Sequence, residues 1–219
     1  MMHTEDRSVT QQVCSLLLRY PDDSLTTLMP LVHELVEKLP GEAGEEFGAF
    51  LRYLDSHDLL TVQRHYVETF DMRRKCSPYL TYWTHGDTRN RGMALLRFKQ
   101  AYHEVGLTID EVELPDHLAV VLEFAATGDS ELGKALLAEH RGVIALLHEA
   151  LAAVDSPYAH VVGAVLATTS ALTPDDELLM QRIATTGPPT EMVGVPGPVD
   201  LTLEPFGVRA SDVAMEARR

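Results

Sequence analysis

Apolar residues recur at three- and four-residue intervals along almost the whole chain, and no comparable run alternates apolar with polar. That period buries one stripe of an α-helix and would scatter apolar side chains over both faces of a strand. Val9, Val13, Leu16 and Leu17 begin it, and Tyr20-Pro21-Asp22-Asp23 stops the first helix. Ser24 is placed to cap a second, whose stripe of Leu28, Leu31, Val32, Leu35, Val36 and Leu39 ends at Pro40-Gly41. Pro30 bends that helix or marks its true start. Phe47, Phe50, Leu51 and Leu54 form a third stripe, and Asp58 caps a fourth helix carrying Leu59, Val62, Tyr66 and Phe70.

Periodicity lapses over residues 72–91, a basic, aromatic and polar stretch that is the least helix-like part of the central chain. A helix then starts at Asp87 or Thr88, carries Leu95, Phe98 and Tyr102, and stops at Val105 before Gly106. Pro115 suits the first turn of the next, where its missing donor costs nothing, and Leu118, Val121, Leu122 and Ala125 follow. Gly128-Asp129-Ser130 separates it from a long pattern through Leu136, Leu147 and Val154, with a candidate interruption at Arg141-Gly142. Ser156-Pro157 and Thr173-Pro174 each read as a cap followed by a first-turn proline. From Gly187 onward prolines alternate with glycines, which forbids regular helix. The expected fold is all-α, a compact bundle of about eight to ten helices. An all-helical domain over 1–186 is followed by an extended or disordered Gly/Pro-rich tail over 187–219.

A chain of 219 residues with 45% hydrophobic content can bury a substantial core. Lys and Arg total 18 against 33 Asp and Glu, a formal net charge of -15. Such a surface repels phosphate backbones and anionic lipid, so nucleic acid and membrane are poor partners and a basic one is better. The longest apolar runs, 118–126 and 158–168, are short of the roughly 20 residues needed to span a bilayer. Acidic Glu5 and Asp6 stand where an export signal needs basic residues, and Cys14 and Cys76 form no ligand motif. A cytoplasmic protein with ordinary thiols is expected.

Enzymatic motifs are scarce. Adjacent His57-Asp58 is the strongest candidate, because helical phosphohydrolases bind divalent metal through such pairs when further His and Asp converge. No H-x-x-x-H pair supports it, and Asp58 has a simpler role as helix cap. There is no G-x-S-x-G elbow and no phosphate-cradling glycine loop. More informative are polar clusters at helix ends: 66–71, 85–92 and 113–124. Asp116 and Glu123 lie two helical turns apart, so both can edge one side of a helix, with His117 and Phe124 beside them. A groove edged by carboxylates and floored by aromatics suits an amphipathic segment carrying Arg or Lys.

These clusters form an ordered series: Leu16-Leu17-Leu18-Arg19-Tyr20-Pro21-Asp22, Tyr66-Val67-Glu68-Thr69-Phe70-Asp71, Tyr79-Leu80-Thr81-Tyr82, His85-Gly86-Asp87-Thr88-Arg89-Asn90-Arg91-Gly92, Glu113-Leu114-Pro115-Asp116-His117-Leu118 and Ser156-Pro157-Tyr158-Ala159. The series resembles the delta-subunit family of respiratory nitrate reductase, dedicated chaperones of a molybdenum-containing catalytic subunit. That resemblance implies the fold of the redox-enzyme maturation chaperones and a non-catalytic role without a cofactor of its own. It implies binding of the N-terminal peptide of the apo catalytic subunit, before membrane docking, by a monomer or weak dimer. It places Pro115, Asp116 and His117 beside the peptide groove, with Glu113 and Glu123 as neighbours. The 85–89 stretch, with His85, Asp87 and Arg89, would shape a hinge or groove wall, and Tyr82 and Trp83 an apolar floor. Tyr66 and Phe70 match the family as well and serve equally as core.

Overall fold

A computed structural model describes residues 2–108, 113–127 and 130–190. Among these residues the chain forms eleven α-helices and no strand. They are α1 (Thr4–Leu17), α2 (Asp23–Glu37), α3 (Gly41–Asp55), α4 (Leu59–Tyr66), α5 (Leu80–His85), α6 (Arg89–Glu104), α7 (Leu118–Thr127), α8 (Ser130–Glu139), α9 (Arg141–Ala152), α10 (Tyr158–Ala167) and α11 (Pro174–Thr186). Helix α10 lies at the centre, packed against α3, α9 and α1, while α1 also lies along α7 and α11 covers α9. Its sequence explains its place. Tyr158, Ala159, Val161, Val162, Ala164 and Val165 are all buried, and a helix apolar all round must be surrounded. Helices α1 and α3 keep one exposed polar face, as their stripes require, whereas α2 leaves Leu28 and Leu31 of its expected stripe exposed and buries only Leu25, Val32 and Val36.

Helix count exceeds the expected range because the aperiodic stretch is not devoid of helix. Residues Arg74–Cys76 form a 3₁₀ turn and Leu80–His85 a short α-helix. Several boundaries follow local hydrogen bonding that the pattern did not reveal. Asp22, not Ser24, caps α2: its Oδ1 accepts from the backbone N–H of Ser24 at 2.9 Å and of Leu25 at 3.3 Å. Pro30 lies inside α2 on its exposed side, so it neither starts nor ends the helix. Asp58 caps α4 through Thr61 N–H at 2.9 Å, and Thr173 and Asp176 form a reciprocal capping box, both as expected. The long pattern after residue 130 is broken at His140, one residue before the expected interruption. Ser156 does not cap α10; its hydroxyl is held by His65 Nε2 at 2.9 Å, tying α4 to α10. Gly128 and Asp129 lie outside the described residues.

The capping box also anchors α11 to the core. Arg141, almost fully buried, directs one guanidinium nitrogen to the backbone and hydroxyl oxygens of Ser170 and the other to the Asp176 carboxylate. Burial opposes ionisation of Asp176, but hydrogen bonds from Thr173 and the Arg141 charge outweigh it and bring its pKa down to about 2. After α11 the chain turns at Gly187, whose φ is +72°, and residues 188–190 pass beside α5 next to Trp83. The Pro189 carbonyl occupies the space above Gly86: a Cβ there would sit 1.6 Å from its oxygen. Of the expected tail, residues 191–219 lie outside the described residues.

Two outcomes follow from these contacts. A lowered carboxyl pKa contributes stability that is complete above the unfolded value and lost as pH falls from about 4 to about 2. Urea melts across that range should show the loss in the native chain and a flatter profile in Asp176→Asn. Gly86→Ala meets both a positive φ of +57° and the Pro189 carbonyl, so it should destabilise the fold by about 1–3 kcal/mol and make the 187–190 segment more protease-sensitive.

Candidate functional site

Helix α4 does not end at Tyr66. It widens into a π-turn over Val67–Asp71, closed by the bond from Met72 N–H to Val67 O at 3.1 Å. The turn brings Phe70 and Asp71 to the same opening as Tyr66. Tyr66 is held by its hydroxyl donating to Leu18 O at 3.1 Å, and Tyr20 packs edge-on against it with ring centres 5.6 Å apart. Opposite lie Pro78, Tyr79, Glu113, His117, Ala119 and Val120. Together they enclose an open cleft of about 450 Å³, with Arg19 and Tyr20 at its mouth.

The second wall is built by two short segments that cross. Leu118 N–H donates to Pro78 O at 2.9 Å and Leu80 N–H to Asp116 O at 3.0 Å, an antiparallel pairing of Tyr79 with His117. Asp116 secures the crossing with its side chain. Its Oδ2 accepts from Thr81 N–H at 3.0 Å and Thr81 Oγ1 at 2.5 Å, and Arg91 Nη2 lies 3.6 Å away. The carboxylate is wholly buried and caps α5 from another part of the chain. Tyr102, also buried, donates to Pro115 O at 2.7 Å and fixes the preceding turn.

His117 is buried with its ring edge-on to Tyr79, and its Nδ1 accepts from Ala119 N–H at 3.2 Å. The proton of the neutral ring is therefore on Nε2. Burial lowers the His117 pKa against the opposing pull of Glu113 and Asp116, so the imidazole is neutral near pH 7. Tyr79 donates to Glu113 Oε1 at 3.1 Å, and burial together with that carboxylate pushes its phenol up to about 12. Arg91 stacks over the Tyr79 ring at 5.5 Å. At the mouth Arg19 pairs with Glu123, both side chains about half exposed.

The residues expected beside a peptide groove are thus divided. Glu113 and His117 line the cleft, and Glu123 stands at its rim through Arg19. Asp116 and Pro115 are buried behind the wall and hold it from the inside. Asp116 and Glu123 do not share a helix face, because α7 begins at Leu118 and the turn before it is consumed in pairing with 78–80. For the same reason Pro115 is not in the first turn of α7. Tyr82 and Trp83 do not floor the cleft. Trp83 is buried, donates to Ser77 O at 3.0 Å and faces 187–190, and Tyr82 packs on the core. His85 borders a separate hollow of about 160 Å³ with Phe98, Glu139 and His140. Asp87 pairs with Arg91 at 3.4 Å, and exposed Arg89 opens α6.

Arg19, Tyr20, Asp71, Tyr79 and Val120 belong to the cleft but were not singled out by spacing. Tyr20 carried a usable signal, since an aromatic placed after a helix stop and before a proline has no stripe to join. Tyr66 and Phe70, readable as core or groove, are both: each is mostly buried and each lines the opening. Elsewhere, Asp58 is occupied as a cap, His57 Nδ1 donates to Tyr53 O at 2.8 Å, and among the described residues no three His, Cys, Asp or Glu side chains are grouped to hold a metal.

Comparison with known proteins agrees with this architecture. The family model of the nitrate reductase delta subunit matches residues 36–162, and the chain belongs to that family. It is 44% identical over 160 residues to the nitrate reductase-like protein NarX of Mycobacterium tuberculosis, covering 73% of this chain and 24% of NarX, so it spans about a quarter of that relative. It is 33% identical over 167 residues to a Bacillus subtilis protein named "Probable nitrate reductase molybdenum cofactor assembly chaperone NarJ", covering 76% of this chain and 91% of that one. A crystal structure from Archaeoglobus fulgidus, described as a redox enzyme maturation protein, shares the fold with a TM-score of 0.56 at 24% identity, over 76% of this chain and 94% of that one.

Because Asp116 is interior, its removal should act on stability. Asp116→Ala leaves Arg91 and two Thr81 donors without their acceptor and should cost about 3 kcal/mol in chemical denaturation. An unchanged midpoint would show that the crossing does not depend on this carboxylate.

Proposed function

We propose that this protein is an assembly chaperone for the molybdenum-containing catalytic subunit of a respiratory nitrate reductase. It acts in the cytoplasm and takes hold of the subunit's N-terminal segment, keeping it from membrane docking while the molybdenum cofactor is inserted. The segment binds as an amphipathic helix whose apolar face lies on Tyr66, Phe70, Tyr79 and Val120. Its basic residues meet Glu113, Asp71 and Glu123. The single observation that carries this reading is the cleft: open, floored with aromatic rings and edged by carboxylates. Membership of the nitrate reductase delta subunit family, and a relative named as a molybdenum cofactor assembly chaperone, supply the partner.

It is not an enzyme. A relative matched over most of its length is named as an assembly chaperone, and the groups in the cleft suit binding rather than catalysis. His117 is neutral and tied to Ala119, and the Tyr79 phenol, with a pKa near 12, is bonded to Glu113. Among the described residues no helix is long and apolar enough to cross a membrane, in keeping with action before docking. His57-Asp58 has no supporting observation, since both side chains serve local helix-end contacts.

The test is calorimetric titration of the full chain with a peptide from the N-terminus of a nitrate reductase catalytic subunit. Saturable binding with a negative heat-capacity change is expected, because apolar surface is buried. Val120→Glu places a charge among the aromatic rings and should weaken binding at least about tenfold, with helical content and melting temperature unchanged. Equal affinity for native and variant chains would remove the cleft as the docking site.

A further inference from the structure

Residues 72–75 follow directly on Asp71, which lines the cleft, and the chain returns to the cleft at Pro78 and Tyr79. The intervening turn joins these two parts of the cleft lining. Its sequence is Met72-Arg73-Arg74-Lys75, three consecutive cations in a chain of net charge -15. All four residues are exposed, and Met72 is 74% exposed. Cys76 anchors the far end, being buried with its thiol directed at Ala150 O, so the turn is held in place on α9.

The clustering of unpaired charge sets this turn apart: among the described residues Arg7, Arg52, Arg64, Lys99 and Arg182 also stand outside the carboxylate ion pairs, but none of them has a cationic neighbour in sequence. Arg19, Lys38, Arg97, Lys134 and Arg141 are each engaged by a carboxylate. Among the described residues Arg73, Arg74 and Lys75 have no such partner. Three adjacent like charges repel one another, and a surface this rich in Asp and Glu could have neutralised them cheaply. The exposed Met72 beside them adds an adaptable apolar contact of the kind that peptide-binding surfaces use. The cleft thus has two electrical poles: the carboxylates Glu113 and Asp71 inside it, and the basic turn that follows Asp71 in the chain.

We infer that residues 72–75 are a second docking element, which takes acidic side chains of the same client segment whose apolar face occupies the cleft. This rests on the cleft reading above and adds polarity to it. A client with basic residues at one end of its apolar stripe and acidic residues at the other is accepted in one direction only, because reversal sets like charges against each other at both poles. The partner is a bipolar amphipathic peptide. Nucleic acid and anionic lipid are disfavoured as occupants of the turn, since the carboxylates of the cleft repel any extended polyanion laid across it.

Three synthetic helical peptides test this by titration into the full-length chain at low salt. All share a Leu/Phe stripe and basic residues at one end, and carry two Glu, two Gln or two Lys at the other. The Glu peptide should bind the native chain about fivefold to tenfold more tightly than the Gln peptide, and the difference should shrink in 0.5 M salt. In the variant R73E/R74E/K75E the order should invert, with the Lys peptide binding best. Glu and Gln peptides of equal affinity would overturn the basic turn as a docking element while leaving the cleft reading intact. Absence of binding by all three, in native chain and variant alike, would overturn both.

Discussion

The wall of the cleft depends on one buried carboxylate. Asp116 is held in the interior by two sets of donors: the first turn of α5 through Thr81, and the Arg91 guanidinium from α6, which Asp87 also contacts. A short helix of six residues cannot hold itself together, and α5 is no exception. Its position comes from this remote cap and from the two backbone bonds exchanged with 116–118. Tyr79 and His117 are carried to the opening by that crossing, one on each segment. Charge in this site acts at two levels. The interior carboxylate builds the wall, and the exposed ones on the wall's outer side present the binding chemistry.

Helical class, element order and most helix limits were legible in the residues, because a 3.6-residue stripe is a property of the chain itself. Asp58 and Thr173 show how far that reaches: a cap lies within three residues of what it caps, so the sequence contains both partners. Asp22 and Ser24 show its resolution limit, since two eligible caps stood two residues apart and only backbone geometry chose between them. The site was less legible. Asp116 reads as a surface acid at a helix start, and its actual partners are 35 residues away in sequence. Family resemblance pointed to segments of which some line the cleft, but could not say which side chains turn inward. Trp83 and Tyr82 matched a groove pattern in sequence and were claimed by the core.

The arrangement explains how a strongly acidic protein can present a selective surface instead of a generally sticky one. Some cations are held in ion pairs that tie elements together, such as buried Arg141 to the α11 capping box and exposed Arg97 to Glu139. Exposed pairs such as Arg97–Glu139 contribute little stability, but they neutralise positive charge on the surface. What remains unpaired near the cleft is concentrated on one turn. In the proposed docking, selectivity rests on the order of charges along the client segment, and apolar burial supplies adhesion.

The π-turn gives this helix an unusual dependence on length. A single residue inserted into a regular α-helix rotates everything beyond it by about 100°. The wide turn at Val67–Asp71 absorbs one such residue, and the rotation is what swings Asp71 and the chain after it to the cleft side. Deleting Val67, Glu68 or Thr69 would let the helix relax to ordinary α geometry and point the following turn elsewhere, although every cleft side chain would still be encoded. Substitution at Val67, Glu68 or Thr69 preserves the length of the turn, whereas loss of one of these residues does not.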